Sequence, residues 1–259
     1  MADGALARPV ESEELLYVVV PVYNEEASVA RVVREWVSAL ESLGACYRFL
    51  LLDDGSKDGT RDRLEALASE LPRIEVIHKP NSGHGQTCVE GYRTAVARGA
   101  TWVLQIDSDG QCDPGYFLEL WHRRSRFGAV FGKRVTREDG VSRRLVSWFC
   151  RHATRLVSGV AVQDPNVPYR LIRADVLSAA IAGLPQDFWL ANVLVAVVVQ
   201  KGLGERIGFV EINFRERYGG EASAKWLKFV SSGLDLCRAL YGTRAYTRER
   251  ALAIAGNAR

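Results

Sequence analysis

The sequence contains no run of apolar residues long enough to cross a membrane. The longest nearly apolar stretch, 188–199, contains Asn192 and is about 12 residues long, whereas a membrane-spanning helix needs about 20. The first 14 residues lack the basic region and apolar run of a secretory signal. The cysteines are five in number and form no CxxC pair. We therefore expect a cytoplasmic protein with reduced thiols and without a zinc site.

An excess of charge of one sign is also missing. The chain has 34 basic and 31 acidic residues, a net charge of +3, which is too small to predict nucleic-acid binding, so any basic site must be local. With 47% hydrophobic and 25% charged residues, the composition excludes disordered, collagen-like and disulfide-scaffold proteins. A length of 259 residues allows one large domain or two small ones.

The first half of the sequence alternates apolar strands with amphipathic helices. Strands are predicted at 15–21, 48–53, 74–78, 102–106 and 129–132, and helices at 29–40, 58–71, 86–98 and 114–127. This rhythm is typical of the α/β class and predicts a doubly wound, mostly parallel sheet with helices on both faces. The second half predicts helices near 142–158, 174–182, 189–201 and 224–241, a loop at 163–170, a strand at 206–214 and a basic, fraying end from residue 243.

Ligands of such sheets bind beyond the carboxyl ends of the strands. This rule selects the loops at 21–26, 53–60, 79–85 and 107–113. The strongest local signal is Asp107-Ser108-Asp109 at the end of a buried strand, because two carboxylates one residue apart can share a Mg²⁺ or Mn²⁺ ion whose remaining ligands are water and phosphate. Gln111 and Asp113 are close enough to assist. The alternative is a solvated turn.

The other three loops carry weaker signals. Asp53 and Asp54 could accept hydrogen bonds from a base or ribose, or belong to a capped turn. Tyr23 could stack on a base, and Glu25 could accept a hydrogen bond. The glycine-rich segment 81–86 opens a helix, whose N–H groups suit phosphate, but it lacks the spacing of a P-loop or a Rossmann motif. Its His84 is interpreted as a local hydrogen-bonding residue.

Together the segments PVYNEE, LLDDGSKDGT, NSGHG and DSDGQCDP, in this order, resemble family 2 glycosyltransferases with the GT-A fold. They are most similar to the dolichol-phosphate-mannose-synthase-like branch and its bacterial relatives. The resemblance covers about 15–225 and implies a UDP- or GDP-linked sugar donor, a divalent Mg²⁺ or Mn²⁺ ion and inversion at the anomeric carbon. It implies metal ligands at Asp107, Asp109 and Gln111. It implies donor contacts at Pro21, Tyr23, Glu25, Asp53, Asp54, Asn81, Gly83, Asp107 and Ser108.

The same resemblance divides the chain. A flexible N-terminus (1–14) precedes a glycosyltransferase domain (15–225), which has a nucleotide-sugar half (15–135) and an acceptor half (136–225). A C-terminal helix and basic tail (226–259) follow.

Two segments of the acceptor half resemble family motifs. Residues 164–171 resemble D-x-x-x-G-[FY]-[RK], with Pro168 in place of the glycine, which stiffens the loop. Arg170 is the candidate ligand of an acceptor phosphate, and Asp164 is the candidate base for a hydroxyl acceptor or a turn residue. Arg217, before Tyr218 and a glycine pair, resembles a closing segment in which an arginine bridges donor and acceptor, or belongs to an ordinary basic loop.

A basic helix face bears on the acceptor. Arg144, Trp148, Arg151 and Arg155 share one side of the helix near 142–158. This face suits a lipid phosphate or an anionic membrane, so we expect a polyprenyl phosphate acceptor and a peripheral membrane contact, with a solvated face as the alternative.

Three other functions stay open. The first is transfer to a soluble hydroxyl acceptor, and the second is non-catalytic binding of a nucleotide sugar. A nucleotidyltransferase ranks lower, because the loop after the first strand is acidic rather than glycine-rich and basic.

Overall fold

The computed structural model describes residues 14–135, 162–184, 188, 190–218 and 241–257, with the single residues 155 and 159. Its strands are β1 (Leu15–Val22), β2 (Cys46–Asp53), β3 (Ile74–His78), β4 (Trp102–Gln105), β5 (Ala129–Arg134), β6 (Arg170–Arg173) and β7 (Ile207–Ile212). Its helices are α1 (Val29–Ser42), α2 (Thr60–Glu70), α3 (His84–Ala97), α4 (Phe117–Arg123), α5 (Ala174–Ile181), α6 (Ala191–Leu203) and α7 (Arg244–Asn257). A 3₁₀ turn, Pro114–Tyr116, precedes α4.

Across these described ranges the strands form one sheet with the order β3-β2-β1-β4-β6-β5-β7. The pairs β3–β2, β2–β1 and β1–β4 are parallel, as is β5–β7. The predicted α/β sheet is thus confirmed. β1 lies in the interior of the sheet, between β2 and β4, and is buried from its second residue onward. Because successive side chains of a strand point to opposite faces, both faces of the sheet are covered at β1.

The strand β6 differs from the sequence prediction, which has a loop at 163–170 leading directly into a helix. Arg170–Arg173 instead forms a strand that runs antiparallel between β4 and β5. Its four residues, RLIR, begin and end with arginine, so neither length nor apolar alternation marks them as a strand. The insertion places Arg170 opposite Gln105, the last residue of β4.

The end of the described chain also differs from its prediction as a fraying, basic tail. Residues 244–257 form the helix α7. Its Ala251 and Ile254 are buried, and Ile254 packs closely against Gly202 of α6. Apolar contact with α6 therefore stabilises this helix.

Several sequence predictions lie outside the described residues. They are the helix near 142–158 with its basic face, apart from the exposed Arg155, most of the helix near 224–241, the segment 219–223 and the first 13 residues. Within the described ranges, no helix combines the length and apolar character that a membrane crossing requires.

The packing of α7 gives the first prediction. Ile254→Ala should lower the free energy of unfolding by about 2–4 kcal/mol, because it leaves a cavity against α6. Leu252→Ala, on the same helix but 64% exposed, is the matched control and should change it by less than about 0.5 kcal/mol. Denaturant unfolding monitored by tryptophan fluorescence measures both. Equal small effects would show that α7 is not packed in solution.

Candidate active site

A cleft of about 530 Å³ lies beyond the carboxyl ends of β1, β2 and β4. Predicted site residues that line it are Pro21, Tyr23, Glu25, Asp54, Asn81, Gly83, Asp107, Ser108, Asp109 and Arg217. Val22, Asn24, His84 and Thr87 also line it. Four predicted site residues are not among its lining residues: Asp53, Gln111, Asp164 and Arg170. The strand-end rule therefore brings the four signature loops together, as the sequence predicts.

Asp107 is anchored through one of its two carboxylate oxygens. Its Oδ1 accepts from Nε2 of Gln105 at 3.1 Å and lies 2.9 Å from Nε2 of His84. His84, interpreted from the sequence as a local hydrogen-bonding residue, thus stands beside the predicted metal ligand. Its place in the cleft follows from its position as the first residue of α3.

Asp109 lies deeper in the cleft and is 8% exposed. Burial, reinforced by the negative charge of Asp107, raises the pKa of Asp109 from 3.8 to about 6. The main-chain N–H of Gln111, at 3.1 Å, and the guanidinium of Arg217, at 3.6 Å, act in the opposite direction. The two carboxylates thus repel each other, and a bound cation would relieve this repulsion.

The donor set suits a cation that shares its ligands with a substrate. Among the described residues, no group of three or more His, Cys, Asp or Glu side chains is arranged to hold a metal ion. Mg²⁺ is typically held by one or two carboxylates together with substrate phosphates, which Asp107 and Asp109 fit. Gln111 lies next to this pair, but within the described part of the chain its hydrogen bonds are made by its main chain, with Asp109 and Arg215.

Arg217 crosses the cleft and pairs with Glu25 on the opposite side. Glu25 is buried and also accepts from the Ser28 hydroxyl at 2.5 Å. Burial raises the pKa of Glu25, although Ser28 and Arg217 oppose this shift. The Ser28 hydroxyl also lies 3.1 Å from the main-chain oxygen of Ser108. Glu25 and Arg217 thus connect the loop after β1 to the closing segment.

The two adjacent aspartates at the end of β2 have different surroundings. Asp54 lines the cleft and accepts from Lys79 at 2.6 Å and from the main-chain N–H groups of Ser82 and Gly83. The side chain of Asn81 donates to the main-chain oxygen of Asp54. Asp54 therefore holds the glycine-rich loop in place.

The surroundings of Asp53 differ from the sequence prediction that it contacts a base or ribose. Its carboxylate accepts from the N–H of Ser56 at 2.9 Å and pairs with His78 at 2.8 Å. Burial opposes its ionisation, but these hydrogen bonds outweigh burial and lower the pKa of Asp53. Unlike Asp54, Asp53 does not line the cleft, so it stabilises the turn after β2, which is the alternative interpretation of this motif.

Arg170 requires a second correction. It has no exposed surface, so it cannot contact an acceptor phosphate in this arrangement. Its guanidinium donates to the main-chain oxygens of Val167, Pro165 and Asn192 and to the side-chain oxygen of Asn192. These bonds compensate for the burial of its charge.

Asp164 is the other predicted residue of this segment. It is 8% exposed, and both of its oxygens accept from Arg134, at 2.7 and 2.5 Å. Its backbone has a positive φ of 36°, which is unusual for a residue other than glycine.

The segment 215–218 is attached to the loop 107–113 and to α1. The Tyr218 hydroxyl donates to Glu35 of α1 at 2.8 Å, and the main-chain N–H of Tyr218 donates to the main-chain oxygen of Asp109 at 3.0 Å. Arg215 pairs with Glu35 at 3.0 Å and with Asp113. Gly110 has a φ of +86°, and a Cβ there would overlap the ring of Tyr218. We refer to these contacts of Tyr218 and Arg215 as the Tyr218 latch.

The sequence analysis misses the latch because Glu35 lies on the polar side of an amphipathic helix. Nothing near Glu35 in sequence distinguishes it from an ordinary solvated glutamate. Asn24 and Thr87 are also missed, although both lie within or next to the selected loops.

Comparison with known proteins gives the family. Residues 17–179 match the model of Glycosyl transferase family 2. The chain therefore belongs to this family.

Two similar proteins are named as undecaprenyl-phosphate sugar transferases. An undecaprenyl-phosphate 4-deoxy-4-formamido-L-arabinose transferase of Pseudomonas paraeruginosa is 28% identical over 226 residues, 86% of this chain. The match spans 64% of that relative's length. An undecaprenyl-phosphate mannosyltransferase of Micrococcus luteus is 28% identical, over 79% of this chain and 85% of the relative.

A solved structure gives the fold. Glucosyl-3-phosphoglycerate synthase of Mycobacterium tuberculosis, crystallised with Mn²⁺, UDP-glucose and phosphoglyceric acid, has a TM-score of 0.62 and 20% identity. The match covers 88% of this chain and 80% of that one. This similarity, together with the observed sheet, shows that the chain has the GT-A fold.

The latch gives a prediction about Gly110. Gly110→Ala should displace Tyr218 and with it Arg217, lowering the affinity for UDP or GDP with Mn²⁺ about tenfold, or about 1.4 kcal/mol. Gly44→Ala is the control, because Gly44 also has a positive φ, +64°, but no atom within 4 Å of an added Cβ. Both variants should lose about 1–2 kcal/mol of stability from backbone strain.

Thermal shift with and without the diphosphate and Mn²⁺ measures both effects. Equal ligand-induced shifts in the two variants would show that the latch does not position Arg217.

The pKa of Asp109 gives a prediction about stability. Its folded pKa of about 6 exceeds the ordinary value of 3.8, so its ionisation destabilises the metal-free fold as pH rises from about 4 to above 6. Asp109→Asn should therefore raise the free energy of unfolding at pH 7.5 by about 1–3 kcal/mol, and the gain should vanish near pH 4. Denaturant unfolding in chelator measures this. A gain that is the same at both pH values would contradict the assignment.

Proposed function

We propose that the protein transfers a sugar from a nucleoside-diphosphate sugar, linked to UDP or GDP, to a polyprenyl phosphate, with inversion at the anomeric carbon. The observation that carries the proposal is the arrangement of Asp107, Asp109 and Arg217 around one cleft at the carboxyl edge of the sheet. Two carboxylates and an arginine suit a diphosphate bound with a divalent cation.

The cation would be Mg²⁺ or Mn²⁺, held by Asp107 and Asp109. When bound, it supplies Lewis-acid stabilisation of the charge that develops on the leaving diphosphate. The chain contributes the second positive charge through Arg217, which approaches Asp109 and Glu25 from the closing segment. Crystallisation of a structure of the same fold with Mn²⁺ and UDP-glucose supports this donor and metal class.

The nucleoside would occupy the part of the cleft between the loops after β1 and β3. Tyr23, which is 41% exposed, offers a ring on which a base can stack. Asp54 and Asn81 lie on the opposite loops and line the same space. We infer that Asp54, rather than Asp53, carries the acidic contact to the nucleoside.

The acceptor is inferred from the relatives and from Asp164. Relatives that cover most of this chain are named as undecaprenyl-phosphate transferases. Both oxygens of Asp164 are engaged with Arg134, which leaves this carboxylate poorly placed to take a proton from a hydroxyl acceptor. A phosphate acceptor is already an anion and needs no base.

The reaction then balances without a proton transfer. An oxygen of the acceptor phosphate forms a bond to the anomeric carbon as the bond from that carbon to the donor's β-phosphate oxygen breaks. The electron pair of the broken bond leaves with the nucleoside diphosphate. A single displacement of this kind inverts the anomeric configuration.

A polyprenyl phosphate lies in a membrane, so this acceptor implies peripheral contact with a membrane surface. The basic residues predicted near 142–158 are the proposed contact, since each basic side chain near an anionic surface contributes about 1 kcal/mol.

The test is transfer of radiolabelled sugar from a panel of UDP- and GDP-linked donors to undecaprenyl phosphate in detergent with Mn²⁺, measured as organic-phase label. Asp109→Ala should reduce transfer about 100-fold or more, because metal stabilisation is worth several kcal/mol. Asp62→Ala is the matched control, since it removes an exposed carboxylate on α2, and it should stay within about twofold. Full activity of Asp109→Ala in chelator would overturn the metal assignment.

The same assay separates phosphate from hydroxyl acceptors. With a phosphate acceptor, Asp164→Asn should not lose the general-base contribution of about 10²–10⁴ in rate. A loss of that size, recovered at high pH, would favour a hydroxyl acceptor with Asp164 as its base.

A further inference from the structure

A cluster of buried polar side chains adjoins Asp107. Tyr92, Gln105, Asn192 and Arg170 come from α3, β4, α6 and β6, and each is at most 4% exposed. A polar group in the core destabilises the fold unless it is hydrogen-bonded, and the cost is largest for a charge. We refer to these four residues as the buried cluster, and its hydrogen bonds have a definite direction.

The direction begins at Arg170. A guanidinium carries N–H donors and no acceptor, so Asn192 must turn its amide oxygen toward Arg170, and Nη1 donates to this Oδ1 at 2.7 Å. The amide nitrogen of Asn192 then faces Gln105 and donates to its Oε1 at 3.3 Å. Gln105 in turn must present its own nitrogen on the other side, where Nε2 donates to Oδ1 of Asp107 at 3.1 Å.

The antiparallel strand β6 makes this chain of contacts. Its register sets Arg170 directly opposite Gln105, so the first residue of β6 lies beside the last residue of β4. Gln105 precedes Asp107 by two residues, and Asn192 reaches the pair from the first turn of α6. Arg170 is thus connected to the metal loop, although it is fully buried.

We propose that Arg170, Asn192 and Gln105 form a directional relay that holds Asp107 by its Oδ1 atom and leaves Oδ2 to the cation. Arg170 is a positioning residue in this relay, since it determines the orientation of both amides. His84 also contacts Oδ1, which anchors the same oxygen from the cleft side. This inference rests on the proposed function, because it assigns Asp107 to the metal.

The decisive variant is Asn192→Asp. An aspartate still accepts from Arg170, which keeps it ionised, but it cannot donate to Gln105. The amide of Gln105 is then free to turn its nitrogen toward residue 192 and its oxygen toward Asp107. The added negative charge would by itself strengthen cation binding, so a loss of affinity has the opposite sign to a simple Coulomb effect.

Tyr92→Phe is the matched control. The Tyr92 hydroxyl belongs to the same buried cluster. It donates to Oδ1 of Asn192 at 2.9 Å and lies 3.4 Å from Oε1 of Gln105, so it contacts the oxygens of both amides but does not link Arg170 to Asp107. Its removal disturbs the packing and hydrogen bonding of the cluster without reversing either amide. A merely structural role of the cluster would affect both variants alike.

The experiment is a titration of the full chain with Mn²⁺, with free Mn²⁺ measured by electron paramagnetic resonance in the presence of UDP or, in parallel, GDP. Asn192→Asp should weaken Mn²⁺ binding about tenfold, as outer-shell changes at metal sites do. Tyr92→Phe should stay within about twofold of the wild type. Gln105→Met, which removes the donor to Asp107, should weaken binding to the same degree as Asn192→Asp and replaces it if that variant does not fold.

The outcomes are separable. A wild-type protein that binds no Mn²⁺ with either diphosphate would overturn the proposed metal and the relay together. The relay alone would be overturned if the wild type binds Mn²⁺ and a folded Asn192→Asp or Gln105→Met variant binds it with an affinity within twofold of the wild type. Equal losses in these variants and in Tyr92→Phe would also overturn it, because they would reflect general disturbance of the core.

Discussion

The repulsion between Asp107 and Asp109 is the interaction on which the rest of the site depends. Both carboxylates follow the end of β4. Burial of Asp109 and the negative charge of Asp107 together raise the pKa of Asp109. Several neighbouring groups compensate for this charge. Gln105 and His84 contact Asp107, and a main-chain N–H and Arg217 approach Asp109. The latch holds Tyr218, the residue next to Arg217. The metal-free fold thus tolerates a concentration of charge that is suited to a cation and a diphosphate.

Much of the donor half can be predicted from the sequence because its signals are local. The apolar run of β1 and the helical periodicity of α1 depend only on nearby residues, and the strand-end rule then gathers the polar loops. The choice between Asp53 and Asp54 is different. Successive residues of a strand point to opposite sides, so two adjacent carboxylates cannot both face the cleft. Which of them does depends on partners such as His78 and Lys79, which lie 25 residues further along the chain or more.

The acceptor half is harder to predict because its determinants are distant in sequence. In the sequence, Arg170 resembles an exposed arginine that is available to a ligand. Its burial is explained by the folded structure, in which the carbonyl groups of Pro165 and Val167 accept hydrogen bonds from it. The strand that begins at Arg170 is short and flanked by charge, so its apolar pattern is weak. In the sequence of α7, the many basic residues make the apolar positions Ala251 and Ile254, which are buried against α6, hard to recognise. In each case long-range packing overrides the local pattern.

The reversed direction of β6 has a consequence for how such proteins can diversify. β6 lies between β4 and β5 in the sheet. Its first residue, Arg170, therefore pairs with Gln105, the last residue of the strand that leads to Asp107 and Asp109. The predicted nucleotide-sugar half (15–135) and acceptor half (136–225) would therefore not be interchangeable modules. A chimera that joins this donor half to the acceptor half of a relative would inherit a compatible interior only if Gln105, Asn192 and Arg170, or an equivalent trio of matching polarity, were carried across the junction together.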